Sequence, residues 1–128
     1  MDNLSKAKEE VIRFSEHITA WFKGEERVAA AGSEGVLQRI SPDFRMVSPN
    51  GVRRDRQDLA SWLPATFGQY PEMRITIKDM QGYATQHHAL LTYTEIQHDG
   101  TNENTRYSSA VFIREGEQMV WLNLWEMP

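Results

Sequence analysis

Two glutamates are the residues of this chain best placed to do chemistry. Leu91, Tyr93, Glu95 and Gln97 alternate with their neighbours and share one face of a predicted strand. Glu126 closes the stretch Met119–Glu126, on the parity of Leu122 and Leu124. A carboxyl beside an apolar cavity is pushed toward neutral pKa by desolvation, which makes it usable as a general acid or base. Tyr93 or Tyr107 could then donate a hydrogen bond to a developing oxyanion. A structural role competes with this for both carboxylates. Glu126 lies near the C-terminus, where strands fray, and Glu95 can pair across strands with Lys or Arg.

Other chemistries find less support. His87 and His88 are strand neighbours and point to opposite faces, and His98 lies some ~30 Å further along by strand rise. No His-plus-carboxylate spacing resembles a metal site, so no metal is expected. His17, beside the apolar stripe of the first helix, reads as a boundary histidine. Ser108-Ser109 has no His or acid at motif spacing, and no glycine-rich phosphate loop is present, so no cofactor is expected. The chain has no Cys, which removes thiolate chemistry and disulfides and fits a reducing, cytoplasmic setting. A net charge of -4 argues against nucleic-acid and membrane partners. Arg53-Arg54-Asp55-Arg56 is the one basic cluster, and it reads as solvated loop charge.

The elements that must position these residues follow from hydrophobic period. Leu4, Ala7, Val11, Phe14, Ile18 and Trp21 recur at three- and four-residue steps, tracing one stripe of a helix capped by Asp2 or Asn3 and ended by Gly24. Glu25 to Ile40 reads as a weaker helical region broken at Gly32-Ser33-Glu34-Gly35 and stopped by Ser41-Pro42-Asp43. Phe44–Val47 is a short strand. Asp55 opens a third helix with Asp58 in a capping-box position, and Pro64 predicts its kink or end. From Met73 the period becomes two. Strands are expected at Arg74–Lys78, bent or ended near Gly82, and at His88–Gln97, Arg106–Arg114 and Met119–Glu126.

Helices first and long antiparallel strands after them predict an α+β domain. In the last strand, Leu122 and Leu124 point one way and Trp121, Asn123 and Trp125 the other. The Leu face belongs under helix; the Trp face is too apolar for free solvent and predicts a homodimer interface of Trp121, Asn123 and Trp125. Arg106, on the parity of Ser108 and Ala110, is expected on that outer face in a salt bridge between subunits.

With these elements in order, the chain resembles the nuclear transport factor 2-like superfamily, closest to SnoaL-like domains and to the association domain of calcium/calmodulin-dependent kinases. The resemblance is carried by Trp21-Phe22-Lys23-Gly24, by Ser41-Pro42-Asp43-Phe44-Arg45-Met46-Val47-Ser48-Pro49-Asn50-Gly51, and by Arg106–Phe112 with Trp121-Leu122-Asn123-Leu124. It covers nearly the whole chain and implies a single SnoaL-like domain over residues 1–128. The fold it implies is cystatin-like: a cone-shaped, strongly curved antiparallel sheet wrapped around a long N-terminal helix, with a pocket at the open end. Relatives often end the last strand with alternating His, where this chain has Asn123 and Trp125. Tyr93 and Ser109 stand roughly where association domains carry pocket Arg. No set of catalytic residues is therefore inherited.

The expected function is binding of a small apolar or amphipathic molecule in a pocket lined by Trp21, Trp62, Tyr93, Tyr107, Ser109 and Leu124. One alternative is an acid–base enzyme (isomerase, dehydratase or cyclase) using Glu95 or Glu126. The other is a non-catalytic association module working through its outer Trp face.

Overall fold

A computed structural model describes all 128 residues. Helix α1 runs Asn3–Lys23 and buries Ala7, Val11, Ile18 and Trp21 of the predicted stripe. The Asp2 carboxylate accepts the Ser5 N–H at 2.7 Å, a cap worth ~1 kcal/mol. Gly24 ends the helix at φ 75°, where a Cβ would sit 2.9 Å from Gly68 Cα. That close approach lets the Gly68 N–H reach Trp21 O at 3.1 Å and the Tyr70 N–H reach Phe22 O at 2.9 Å. The open carbonyls of the helix end are thus satisfied by a distant segment.

Two short helices follow, α2 at Glu26–Ala29 and α3 at Gly32–Leu37. The expected break at Gly32–Gly35 is instead the first part of α3. Burial of Val36 and Leu37 against the core outweighs the poor helix propensity of the two glycines. Helix α4, Arg56–Trp62, starts with a complete capping box: Asp58 N–H to Asp55 Oδ1 at 2.8 Å and Asp55 N–H to Asp58 Oδ2 at 2.9 Å. Pro64 sits in a 3-10 turn, Leu63–Thr66, so α4 stops at Trp62.

Six strands form one sheet: β1 Ile40–Val47, β2 Arg53–Asp55, β3 Arg74–Ala84, β4 His88–His98, β5 Glu103–Glu115 and β6 Gln118–Met127. Their order is β2-β1-β6-β5-β4-β3. The cone-shaped, strongly curved antiparallel sheet expected from the sequence is not what forms. The sheet is mixed, because β1 joins β6 in parallel, and it is open and not strongly curled, with β2 and β3 as edge strands at opposite ends. Arg53–Asp55, expected as loop, is the short edge strand β2, paired antiparallel with Arg45–Val47. At Gly82 β3 does not end. Absence of a side chain there lets Leu90 O approach to within 2.1 Å of where a Cβ would stand.

The core lies between α1 and one sheet face, with Leu37, Phe44, Leu91 and Phe112 at 2 % exposure or less. Glu10 is buried within it. Its carboxylate accepts from Arg13 Nε and Nη2 at 2.6 and 2.8 Å and from the Trp121 indole N–H at 2.9 Å, with Arg39 at 3.5 Å. A buried charge is tolerated when it is paired and hydrogen-bonded in this way.

That indole bond corrects the face assigned to Trp121. Val111 pairs with Asn123 but Phe112 with Trp121, so Leu122 is an extra residue bulged out of the β5–β6 ladder. A bulge of one residue reverses the parity on its far side. Trp121 therefore faces α1, edge-on to Phe14 with ring centroids 5.4 Å apart, while Trp125 faces out and is half exposed. Trp121 is no part of an outer surface.

Candidate functional site

Beyond the bulge, β6 presents Leu124 and Glu126 to the space between the sheet and α1. The β4–β5 ladder supplies the rest of the polar corner. Glu95 is paired with Arg106, Tyr93 with Ser108, and Ser108 in turn with Glu126. Even spacing without a bulge on these two strands keeps Tyr93, Glu95 and Gln97 on the face that also receives Arg106. Arg106 thus lies on the inner face, not in the outer salt bridge expected of it. Arg106 does share the parity of Ser108 and Ala110, but that face turns inward, where both of those residues are buried against the core.

The space is a cavity of about 160 Å³. Sixteen of its 21 lining residues are hydrophobic, among them Val11, Phe14, Ile18, Met46, Leu59, Trp62 and Ile75, so its walls suit an apolar body. Glu95, Gln97, Arg106 and Glu126 gather at one end. That end opens into a polar vestibule of about 350 Å³, lined also by Ser48, Arg54, Tyr70, Asp99 and Asn104. Trp62, half exposed on α4, lines both spaces.

Within the corner, Arg106 Nη1 donates to Glu126 Oε1 at 3.2 Å, and Arg106 Nε and Nη2 donate to Asn104 Oδ1 at 3.0 and 2.8 Å. Gln97 Nε2 donates to Glu95 Oε2 at 2.6 Å. Burial raises the Glu126 carboxyl to about 6; Glu95 adds to the rise, and the charges of Arg106 and Arg54 oppose it. Glu95 is also raised by burial, against the hydrogen bond from Gln97 and the charge of Arg106. Burial and the two carboxylates push the Tyr93 phenol well above its usual value, so it stays protonated. The Ser108 hydroxyl is buried without a hydrogen bond of sound geometry. The corner thus holds a carboxyl that titrates near neutrality, a fixed guanidinium and a permanent phenol donor.

Three expected lining residues lie elsewhere. Trp21 is packed in the core, its indole N–H bonded to Leu63 O and Thr66 Oγ1, both at 3.1 Å. Tyr107 is exposed, and Ser109 pairs with Trp125 on the outer face. Ser109 and Tyr107 flank inward-facing Ser108, so they point away from the cavity. Gln97 joins the site from the face it was expected to share with Tyr93 and Glu95, whereas Arg54 and Arg106, expected on a loop and on the outer face, arrive there unannounced. A two-residue turn at Asp99-Gly100 would set Asn104 opposite Glu95; the actual loop runs four residues, from Asp99 to Asn102, and brings Arg106 there instead. No cluster of three or more His, Asp or Glu side chains is arranged to hold a metal ion. No helix is long and apolar enough to cross a membrane.

Similar structures place this geometry among known proteins. An NTF2-like protein of unknown function from Pseudomonas aeruginosa is 31% identical, with 95% of this chain and 97% of that chain covered and a TM-score of 0.88. A protein of the NTF2-like family from Streptomyces avermitilis, provisionally described as a dehydratase, is 14% identical over 98% of this chain and 95% of its own, at a TM-score of 0.71. A CaMKII hub homology domain from Chlamydomonas reinhardtii is 13% identical over 99% of this chain and 98% of its own, at a TM-score of 0.67. The latter two likenesses concern the fold alone. No protein-family model and no curated protein matches the sequence.

Proposed function

Given that the chain belongs to the NTF2-like family, we propose that residues 1–128 form a single SnoaL-like domain whose cavity binds a small amphipathic molecule. The observation carrying this reading is the cavity itself, apolar along its walls and polar only where Glu95, Arg106 and Glu126 converge. Its volume matches the engineered cavity of about 150 Å³ that takes up benzene. Replacing Leu124, on the cavity wall, by Trp should fill the space. Indole-sized probes should raise the melting temperature of the wild type and leave that of L124W unchanged. Equal effects on both proteins, or none on either, would refute a binding role for the cavity.

A second reading, acid–base catalysis, is favoured by Glu126 titrating at about 6 beside a protonated Tyr93. In it Glu126 takes or returns a proton, Glu95 is the second carboxylate, and Tyr93 donates to the oxygen that gains charge. The reaction class would be isomerisation, dehydration or cyclisation. Turnover whose rate rises through a pH near 6 and is lost in Glu126→Gln, with binding retained, distinguishes this enzyme from a plain binding module.

The same chain is read as a cytoplasmic homodimer. Asn123 and Trp125 stand on a sheet face that no element covers, next to Arg45, Val47 and Arg53. A half-exposed Trp on such a face supports self-association. The non-catalytic association module is this dimer without use of the cavity.

A further inference from the structure

The cavity mouth carries more charge than an apolar ligand requires, and one of its cations lacks a partner. Glu126 is held by Arg106. Asp99 accepts the backbone N–H groups of Thr101 and Asn102 at 3.0 and 2.8 Å. Arg54, half-buried on β2, has no carboxylate within ion-pair distance and donates only to the Ser48 hydroxyl. It nonetheless lines the vestibule, close enough to Glu126 for its charge to be felt there. Cavity and vestibule share the rim formed by Phe22, Met46, Leu59 and Trp62, so one molecule can occupy both.

Resting on the reading of the cavity as a ligand site, we propose that its ligand is an amphipathic carboxylic acid, with a ring-sized apolar body in the cavity and its carboxylate on Arg54. The body follows from the cavity volume and its hydrophobic lining. The head group follows from the free guanidinium, whose planar fork fits a carboxylate with two parallel hydrogen bonds. A dianionic phosphate would meet Glu126 and Asp99 with one unpaired cation to offset it. An ammonium group would face Arg54 and Arg106, and a neutral head would leave Arg54 unpaired.

Calorimetric titration with phenylacetate, phenethyl alcohol and phenethylamine, at neutral pH, tests the assignment on the wild type and on Arg54→Gln and Arg54→Lys. Phenylacetate is expected to bind tightest to the wild type. R54Q should weaken it about tenfold and leave phenethyl alcohol unchanged, since a hydrogen bond to a charged group is worth at least that factor. R54K, which keeps charge without the fork, should fall between. If the alcohol or the amine binds the wild type as tightly as the acid, or if R54Q leaves phenylacetate unaffected, the head-group assignment is wrong while the cavity remains a binding site. Should none of the three bind, both readings fall. Circular dichroism identical to wild type shows that each variant is folded, as expected for a half-buried strand-edge residue.

Discussion

Arg106 reaches across from β5 to Glu126 on β6 with an N–O separation of 3.2 Å, and the two side chains are only 18% and 7% exposed. The pair offsets part of the cost of burying a carboxylate beside an apolar cavity. A carboxylate this buried is strongly penalised unless a cation and hydrogen bonds offset its desolvation.

Removing the guanidinium should therefore raise the Glu126 carboxyl further. In Arg106→Leu the carboxyl is expected to titrate clearly above its wild-type value of about 6, because the largest opposing influence is gone. Side-chain carboxyl NMR shifts followed against pH measure this directly. The variant should also be destabilised by up to about 3 kcal/mol in denaturant unfolding at neutral pH, because the buried carboxyl must either stay charged without its partner or take up a proton.

Stability should depend on pH through the same group. The Glu126 carboxyl is raised in the folded state from 4.5 to about 6, so the folded protein binds the proton more tightly than the unfolded chain. Stability from this group is then complete below about 4.5, declines as pH rises to about 6, and stays reduced by about 2 kcal/mol above it. Glu95, raised in the same sense, adds to the decline. Urea midpoints recorded against pH should fall over that window in the wild type and fall less in Glu126→Gln. A wild-type curve rising with pH there would contradict the assignment.

Glu10 should prove necessary to the fold, at a distance from the polar corner. In Glu10→Ala the indole N–H of Trp121 and the guanidinium of Arg13 lose their common acceptor inside the core. A loss of about 3 kcal/mol is expected from chemical denaturation, larger than for Glu10→Gln, which keeps one acceptor oxygen.

The outer face offers a test of assembly. Trp125→Asp places a charge where a half-exposed indole stands on the uncovered sheet face. Sedimentation should show a dimer for the wild type and a monomer for this variant, with unchanged circular dichroism. An unchanged sedimentation coefficient would remove this face from any role in self-association.

Local chemistry wrote several elements plainly into the sequence. The stripe from Leu4 to Trp21, the Asp2 cap and the left-handed Gly24 define α1 from contacts within one helix. Asp55 and Asp58 likewise mark the start of α4 with reciprocal hydrogen bonds three residues apart, and Pro64, which has no N–H to give, marks its end. Within a strand, parity alone grouped Tyr93 with Glu95 and Arg106 with Ser108. Such features depend on neighbours in the chain, so they survive without knowledge of the rest.

Which face of each group turns inward was decided only by tertiary structure. The single extra residue at Leu122 separates Trp121, bonded to Glu10 in the core, from outward Trp125, although both have the same parity. Nothing in Trp-Leu-Asn-Leu-Trp announces a bulge, because a bulge answers to the partner strand and to the acceptor waiting on α1. The parallel pairing of β1 with β6 and the arrival of Arg54 at the vestibule from a three-residue strand are equally nonlocal. The carboxylates were visible in the sequence. The arginines that give them a cavity mouth to share depend on contacts between strands far apart in the chain.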